Sequence, residues 1–119
     1  GKSILNTTKA MLGISSSVTS FDVDIIASIN SAFMSLQQIG VGSSTPFQIK
    51  DADDVWEDFM KDNLSMFGGL QSYMYMRARL GFDPPTTSFG IDAVRTQITE
   101  LEERFKLQAY LISILPVAV

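Results

Sequence analysis

Apolar residues recur at helical spacing along most of the chain and predict five helices joined by short turns. The first helix is expected over Ser3–Leu12, and the second begins with Asp22 as its N-cap. A short third helix is expected over Asp54–Asn63, followed by a fourth over Leu64–Leu80 that is apolar around most of its circumference and should be buried on several sides. The fifth and longest begins near Ser88. The pattern therefore predicts an all-α fold, a small bundle of four to five helices.

The segment between the second and third helices is predicted to be an exposed loop, with a strand-like stretch over residues 47–49. This segment, Val41–Lys50, contains Gly42, two Ser, Thr45 and Pro46, and it is the longest loop without strong core signals. We therefore expect this loop to face a partner, with the candidate contact residues Val41, Ser43, Ser44, Phe47 and Lys50.

The fifth helix carries an apolar seam in which Gln108 is the only polar member. Its charges stop at Lys106, and no side chain from Leu107 to Val119 is charged at neutral pH. We therefore divide the chain into a helical domain over residues 1–106 and an apolar helix end and tail over 107–119 that docks on a partner. The candidate docking residues are Tyr110, Leu111, Ile112, Ile114, Leu115, Val117 and Val119.

Composition supports an assembled state. Hydrophobic residues make up 45% of the 119 residues and the mean hydropathy is +0.16, whereas charged residues make up 18%, below the usual quarter. A small domain has much surface to cover with polar groups, so this surplus of apolar side chains indicates that other subunits cover part of it.

Charge and residue types exclude several functions. A net charge of −4 argues against a protein that grips the nucleic-acid backbone. The absence of His and Cys removes the usual nucleophile, general-base and metal-ligand arrangements, so we expect no enzyme and assign no catalytic, cofactor-binding or metal-binding residue. No apolar run is long enough to span a membrane, and we expect no membrane partner.

Two charged clusters remain open to several interpretations. The carboxylates between Asp51 and Asp58 suit a helix start, an acidic docking patch or, least of all, a metal site. Arginines and tyrosines concentrated over Tyr73–Arg79 fall on different sides of a helix, which favours ion pairs within or between subunits over DNA contact. The candidate residues for charge pairing between subunits are Arg77, Arg79, Asp53, Asp54 and Asp58.

Four stretches, in this order and spacing, resemble a known family, the small helical head-tail connector proteins of tailed bacteriophages, also called adaptors or head-completion proteins. They are Thr7–Ile14 (TTKAMLGI), Phe21–Gly42, Trp56–Phe59 (WEDF) and Tyr73–Phe89 (YMYMRARLGFDPPTTSF). Together they cover most of the chain, and the C-terminal tail departs most from the family pattern.

The resemblance implies a structural protein of the virion neck, assembled in the host cytoplasm. Such connectors form a ring, typically of twelve copies, beneath the portal protein. The ring extends the DNA channel, lets DNA pass without sequence-specific contact, and presents a platform to the next neck stopper or tail protein. The family has no catalytic residues. Alternatives are a tail-completion protein of similar fold and a free-standing helical DNA-binding or regulatory module, although the latter would need a basic recognition helix.

Overall fold

Five helices make up the fold in the computed structural model, which describes residues 2–61 and 67–114. The elements are α1 (Ile4–Met11), α2 (Asp22–Gln38), α3 (Trp56–Phe59), α4 (Leu70–Phe82) and α5 (Ser88–Ile114). No strand forms within these described residues: the strand-like stretch at 47–49 has no strand partner, and a single bridge joins Ser3 to Val55. The all-α prediction is confirmed.

The core lies where α1, α2 and α5 pack against α4. Its largest fully buried side chains come from all four helices, and one face of α2 supplies several of them. Tyr73 of α4 contacts Phe105 of α5 edge-on, with ring centroids 5.7 Å apart. The α4 helix is buried on several sides as predicted. Its buried residues are Leu70, Tyr73, Met74, Met76 and Ala78.

Small residues let α2 and α4 approach closely. Ala32 and Ala78 are fully buried, and the Cα of Gly81 lies so close to the Ser28 side chain that a Cβ at position 81 would overlap the Ser28 hydroxyl. The two helices therefore share the most extensive helix contact in the described part of the chain.

Two helices are shorter than predicted. Helix α3 ends at Phe59, because Met60 adopts an extended conformation. Helix α4 begins at Leu70 rather than Leu64, because Gly69 adopts φ +97° and interrupts the helical backbone before it. The earlier part of that prediction, residues 64–66, lies outside the described residues.

The start of α2 also differs from the prediction. Phe21, not Asp22, occupies the N-cap position, and no side chain caps the helix there. Asp22 is instead the first helical residue, and its carboxylate forms an ion pair with the buried Lys9 ammonium at 2.8 Å. The same ammonium donates to the Val18 carbonyl at 2.6 Å and to the Ser16 carbonyl at 3.4 Å. Lys9 thus ties the loop between α1 and α2 to both helices.

The loop after α2 is more buried than predicted. Val41 is 1% exposed and Ile49 is 3% exposed, so both belong to the core. The side chain of Asn30 holds Ile49 against α2 as a neighbouring strand would: its Oδ1 accepts the Ile49 N–H at 2.8 Å, and its Nδ2 donates to the Ile49 carbonyl at 3.1 Å. Phe47 packs its ring edge-on against Phe33, with centroids 5.0 Å apart.

Candidate docking surfaces

The outer face of the C-terminal half of α5 is an exposed apolar stripe, which we call the α5 stripe. Leu107, Tyr110, Leu111 and Ile114 follow the i, i+3, i+4, i+7 spacing of one helix face, and each is between 41% and 59% exposed. Three of the predicted docking residues are therefore on the surface, together with Leu107.

The remaining predicted docking residues differ in position. Ile112 faces the opposite side and packs against the core, as does Ala109. Leu115, Val117 and Val119 lie outside the described residues. Helix α5 runs without a break through Lys106 and Leu107, so the part of the predicted docking segment up to Ile114 continues the bundle.

Exposed apolar side chains also lie around the start of α2 and at the start of α5, and the sequence analysis did not identify them. Val23 in the first turn of α2 is 81% exposed, and Phe89 in the first turn of α5 is 83% exposed. Met11, Val18 and Phe21 are each about two-fifths exposed. A helical wheel predicts that Val23 and Phe89 are exposed, because each lies well off the apolar stripe of its helix.

The predicted loop contacts separate into two groups. Ser43, Ser44 and Lys50 are exposed. Val41 is buried within this chain, and Phe47 is half-buried against Phe33 and Phe59. In this chain the Val41 side chain therefore fills the core rather than facing outward, whereas part of the Phe47 side chain remains accessible.

The acidic cluster forms hydrogen bonds to its own backbone. Asp54 accepts the Lys50 N–H, at 2.6 Å, and the Asp51 N–H, at 3.3 Å, while its carbonyl accepts the Ile4 N–H. Asp58 accepts the Val55 N–H at 3.0 Å, as expected three residues into a helix start. The Lys50 N–H lowers the pKa of the Asp54 carboxyl, because it stabilises the ionised form. The cluster therefore shapes the turn before α3, in agreement with the helix-start interpretation.

Arg77 is occupied within the chain. It donates to the Tyr73 hydroxyl at 2.9 Å and lies 3.8 Å from Glu102, while the Tyr73 hydroxyl donates to Glu102 Oε2 at 2.7 Å. Arg77 also reaches Ser31 Oγ at 3.3 Å, so the group joins α2, α4 and α5. Burial and the Glu102 carboxylate both raise the pKa of Tyr73, since each disfavours the phenolate.

The charges predicted to pair between subunits thus have different surroundings. Asp54, Asp58 and Arg77 bond within their own chain. Within the described residues, Asp53 and Arg79 form no ion pair, and Arg79 makes one long hydrogen bond, 3.4 Å, to the Tyr75 hydroxyl. In the part of the chain that the structure describes, no ion pair joins an arginine to the acidic cluster.

A family model described as phage connector protein matches residues 4–110, nearly the whole chain. No curated protein and no solved structure gives a significant match. Across the part of the chain that the structure describes, no helix is long and apolar enough to cross a membrane. On the extent of the family match, this chain belongs to the phage connector protein family.

Proposed function

We propose that this chain is the head-tail connector of a tailed phage. In this proposal, identical copies form a ring beneath the portal protein, extend the DNA channel, and join the filled head to the next neck stopper or tail protein. The observation that carries it is the exposed α5 stripe in a chain that belongs to the connector family. The role is structural, and it requires no catalytic residue.

The α5 stripe supports docking on the portal or a neighbouring copy. Leu107, Tyr110, Leu111 and Ile114 place four large apolar side chains side by side on one helix face. Water contact at such a contiguous patch is unfavourable, and a partner surface that covers it gains the hydrophobic free energy of both faces. In this proposal the segment 107–119 docks, with the exposed residues of α5 as its first contacts.

The charge of the chain supports DNA passage without tight contact. A net charge of −4 disfavours the release of counterions that drives proteins onto the phosphate backbone. A channel lined by such subunits lets DNA slide past. The exposed loop residues Ser43, Ser44 and Lys50, with Asp53 and Arg79, are the proposed polar contacts between copies or with a neighbouring neck protein. Absence of contacts from these five residues in an imaged neck would exclude that assignment.

Imaging of particles made without this chain tests the proposed function. We expect DNA-filled heads without tails, and addition of the purified chain should restore tail joining. Normal virions would refute the proposal. Tails of abnormal length or termination on otherwise complete particles would instead support a tail-completion protein.

Surface variants test the docking assignment. Leu107→Ser/Ile114→Ser changes two half-exposed residues, so the fold should be retained while binding to tail-less heads falls by about tenfold, as expected for loss of interface anchors. Met34→Ser is the matched control, because Met34 is also about half exposed but lies on α2. Equal binding by the double variant and the control would exclude the α5 stripe as the docking surface.

A further inference from the structure

We propose that the α5 stripe of one copy docks in a groove between α2 and α4 of the next copy. This inference rests on the proposed connector function and commits the stripe to a second copy of this chain as its partner. The evidence is the shape of the groove, the lack of unpaired charge on both surfaces, and the position of the two surfaces on different helices.

The groove is an open depression of about 390 Å³ beside the close contact of α2 and α4. Small residues create it, because Ala27, Ser31 and Gly81 are exposed and leave space above the two helix backbones. Pockets of roughly 300–1,000 Å³ hold small molecules, so this groove has room for large side chains. We call it the α2–α4 groove, and its lining residues are Ala27, Ser28, Ser31, Arg77, Leu80 and Gly81.

The stripe and the groove are complementary in side-chain size. The stripe presents two leucines, an isoleucine and a tyrosine on one helix face, and each is about half exposed. Four of the six groove residues are Ala, Ser or Gly, so large side chains of a second helix pack between the ridges of α2 and α4. The Tyr110 hydroxyl, the one polar side-chain group of the stripe, meets the hydroxyls of Ser28 and Ser31, which both donate and accept.

Charge favours the same pairing. Arg77 is the one charged residue among those that line the groove, and within its own chain it donates to Tyr73 and lies 3.8 Å from Glu102. The stripe brings no charge, because residues 107–114 contain none. Docking therefore buries no unpaired charge, which would be costly.

Charged residues lie at the borders of the two surfaces. On α5, Glu103, Arg104 and Lys106 precede the stripe, and on α2 the charged residues are Asp22 and Asp24 in the first turn. A centre of apolar and small side chains with charges at its rim is the usual anatomy of a protein–protein interface.

Two other occupants of the groove fit less well. DNA phosphates require unpaired Lys or Arg side chains, whereas the arginine of the groove already lies beside Glu102. The stripe of the same chain does not cover the groove, because the lining residues all belong to α2 and α4. The stripe of a second copy is the occupant that fits.

The contact is heterologous, because it joins two different surfaces of the same chain. Repetition of such a contact adds copies head to tail and closes into a ring when the rotation between copies allows it. A contact between two stripes would instead be isologous and would end at a dimer. The proposed contact therefore gives the symmetry that a connector ring needs.

Cysteine cross-linking tests the contact, because the chain contains no Cys of its own. A disulfide forms only when the two Cα atoms come within about 7 Å of each other. Four double variants combine Ala27→Cys in the groove with one stripe substitution, Leu107→Cys, Tyr110→Cys, Leu111→Cys or Ile114→Cys. Each is bound to tail-less, DNA-filled heads made without this chain, or concentrated free in solution, then oxidised mildly and separated on a non-reducing denaturing gel.

The matched control is Met11→Cys/Leu111→Cys, because Met11 is 42% exposed but lies on α1. The single variants Ala27→Cys and Leu111→Cys are oxidised in parallel. We expect at least one of the four double variants to give a ladder of multimers that a reducing agent abolishes. The control and the single variants should give no ladder.

Head binding gives a second measurement. Ala27→Arg places an unpaired charge in the groove and should lower binding to heads by about tenfold, like Leu107→Ser/Ile114→Ser. The combined variant should bind no more weakly than either parent, because both remove the same contact. Circular dichroism melting verifies the fold of each variant.

Three results would overturn the assignment. Absence of a ladder from all four double variants excludes the groove as the partner of the stripe. Dimers from the Leu111→Cys single variant pair stripe with stripe, and additive losses in the combined variant assign the two surfaces to separate contacts. Failure of the wild-type chain to bind heads overturns the connector function alone, since a ladder from the free double variants would still support this contact.

Discussion

Replacement of Lys9 by Met should destabilise the fold strongly, although the residue is polar and the replacement is apolar. The Lys9 side chain is 1% exposed, and its ammonium forms one ion pair and two hydrogen bonds, to Asp22, Val18 and Ser16. Methionine retains most of the aliphatic packing volume but leaves the Asp22 carboxylate and two carbonyl oxygens without their donor.

The expected loss in the free energy of unfolding depends on how deeply Lys9 and Asp22 are buried. Removal of one member of a fully buried pair costs about 3–5 kcal/mol. The Asp22 side chain is 24% exposed and lies at the N-terminus of α2, so water and the helix dipole stabilise its charge in part. We therefore expect a loss of about 2–3 kcal/mol in the free energy of unfolding.

Urea unfolding followed by far-UV circular dichroism at neutral pH measures this loss. Lys106→Met is the control: Lys106 is exposed on α5, and its replacement should change the free energy of unfolding by less than about 0.5 kcal/mol. A double-mutant cycle with Asp22→Asn should give a coupling free energy of about 1 kcal/mol or more, since the two groups are in contact.

The same variant should loosen the loop between α1 and α2, because Lys9 holds its carbonyls. Faster amide exchange over residues 12–21 than elsewhere would show this local effect. A loss no greater than that of Lys106→Met, or a coupling free energy near zero, would refute the assignment of Lys9 as the central contact of this loop.

Three further predictions concern other contacts. Gly42→Ala should lower the free energy of unfolding by about 2–3 kcal/mol, and Gly13→Ala by about 1 kcal/mol. Both glycines have positive φ, but of the two only Gly42 has a side chain, the Phe59 ring, where the new Cβ would lie. Equal losses in urea unfolding would contradict this. Tyr73→Phe should lower the free energy of unfolding by about 1.5–3 kcal/mol, and Tyr75→Phe by less than about 1 kcal/mol. The Tyr73 hydroxyl forms hydrogen bonds to two charged groups, whereas the Tyr75 hydroxyl accepts one long hydrogen bond. Thermal melts that rank the two variants in reverse would contradict this. Asp54→Ala should destabilise the fold at neutral pH but not in acid, because the pKa of Asp54 is lower in the folded state than in the unfolded state. The stabilisation by the Asp54 carboxylate is complete above the unfolded-state pKa and is lost as pH falls through the folded-state pKa. A lower urea midpoint for the variant that persists in strong acid would exclude this origin.

Sequence periodicity was sufficient to predict the helices that bury only one face. The apolar stripe of α2 and the seam of α5 are both on the core side in the structure, because a continuous amphipathic pattern leaves one orientation that buries it. The beginning of α4 could not be predicted in the same way. The apolar pattern extends upstream of Leu70, but α4 begins only after Gly69, whose positive φ does not fit a helical backbone. Apolar periodicity carries no information about φ.

The loop after α2 was misjudged for a different reason. The hydrogen bonds that hold the Ile49 backbone against α2 come from Asn30, nineteen residues earlier, and an asparagine within a helix carries no local signal of a distant backbone partner. The Lys9–Asp22 pair spans thirteen residues in the same way. Polar contacts between elements depend on how the helices pack, so they appear only once the fold is known.

Three helices meet at the hydrogen-bonded group around Tyr73. Glu102 lies near the middle of α5 and accepts a hydrogen bond from the Tyr73 hydroxyl of α4. Arg77 of α4 donates to the same hydroxyl and to Ser31 of α2, so the group links all three helices. Because α5 is continuous from Ser88 to Ile114, a contact near its middle fixes the orientation of the α5 stripe relative to α2 and α4, so a partner does not have to order the subunit on binding. The hydrogen-bonded group at Tyr73 therefore supports the α5 stripe without belonging to it, and its loss should weaken binding to tail-less heads.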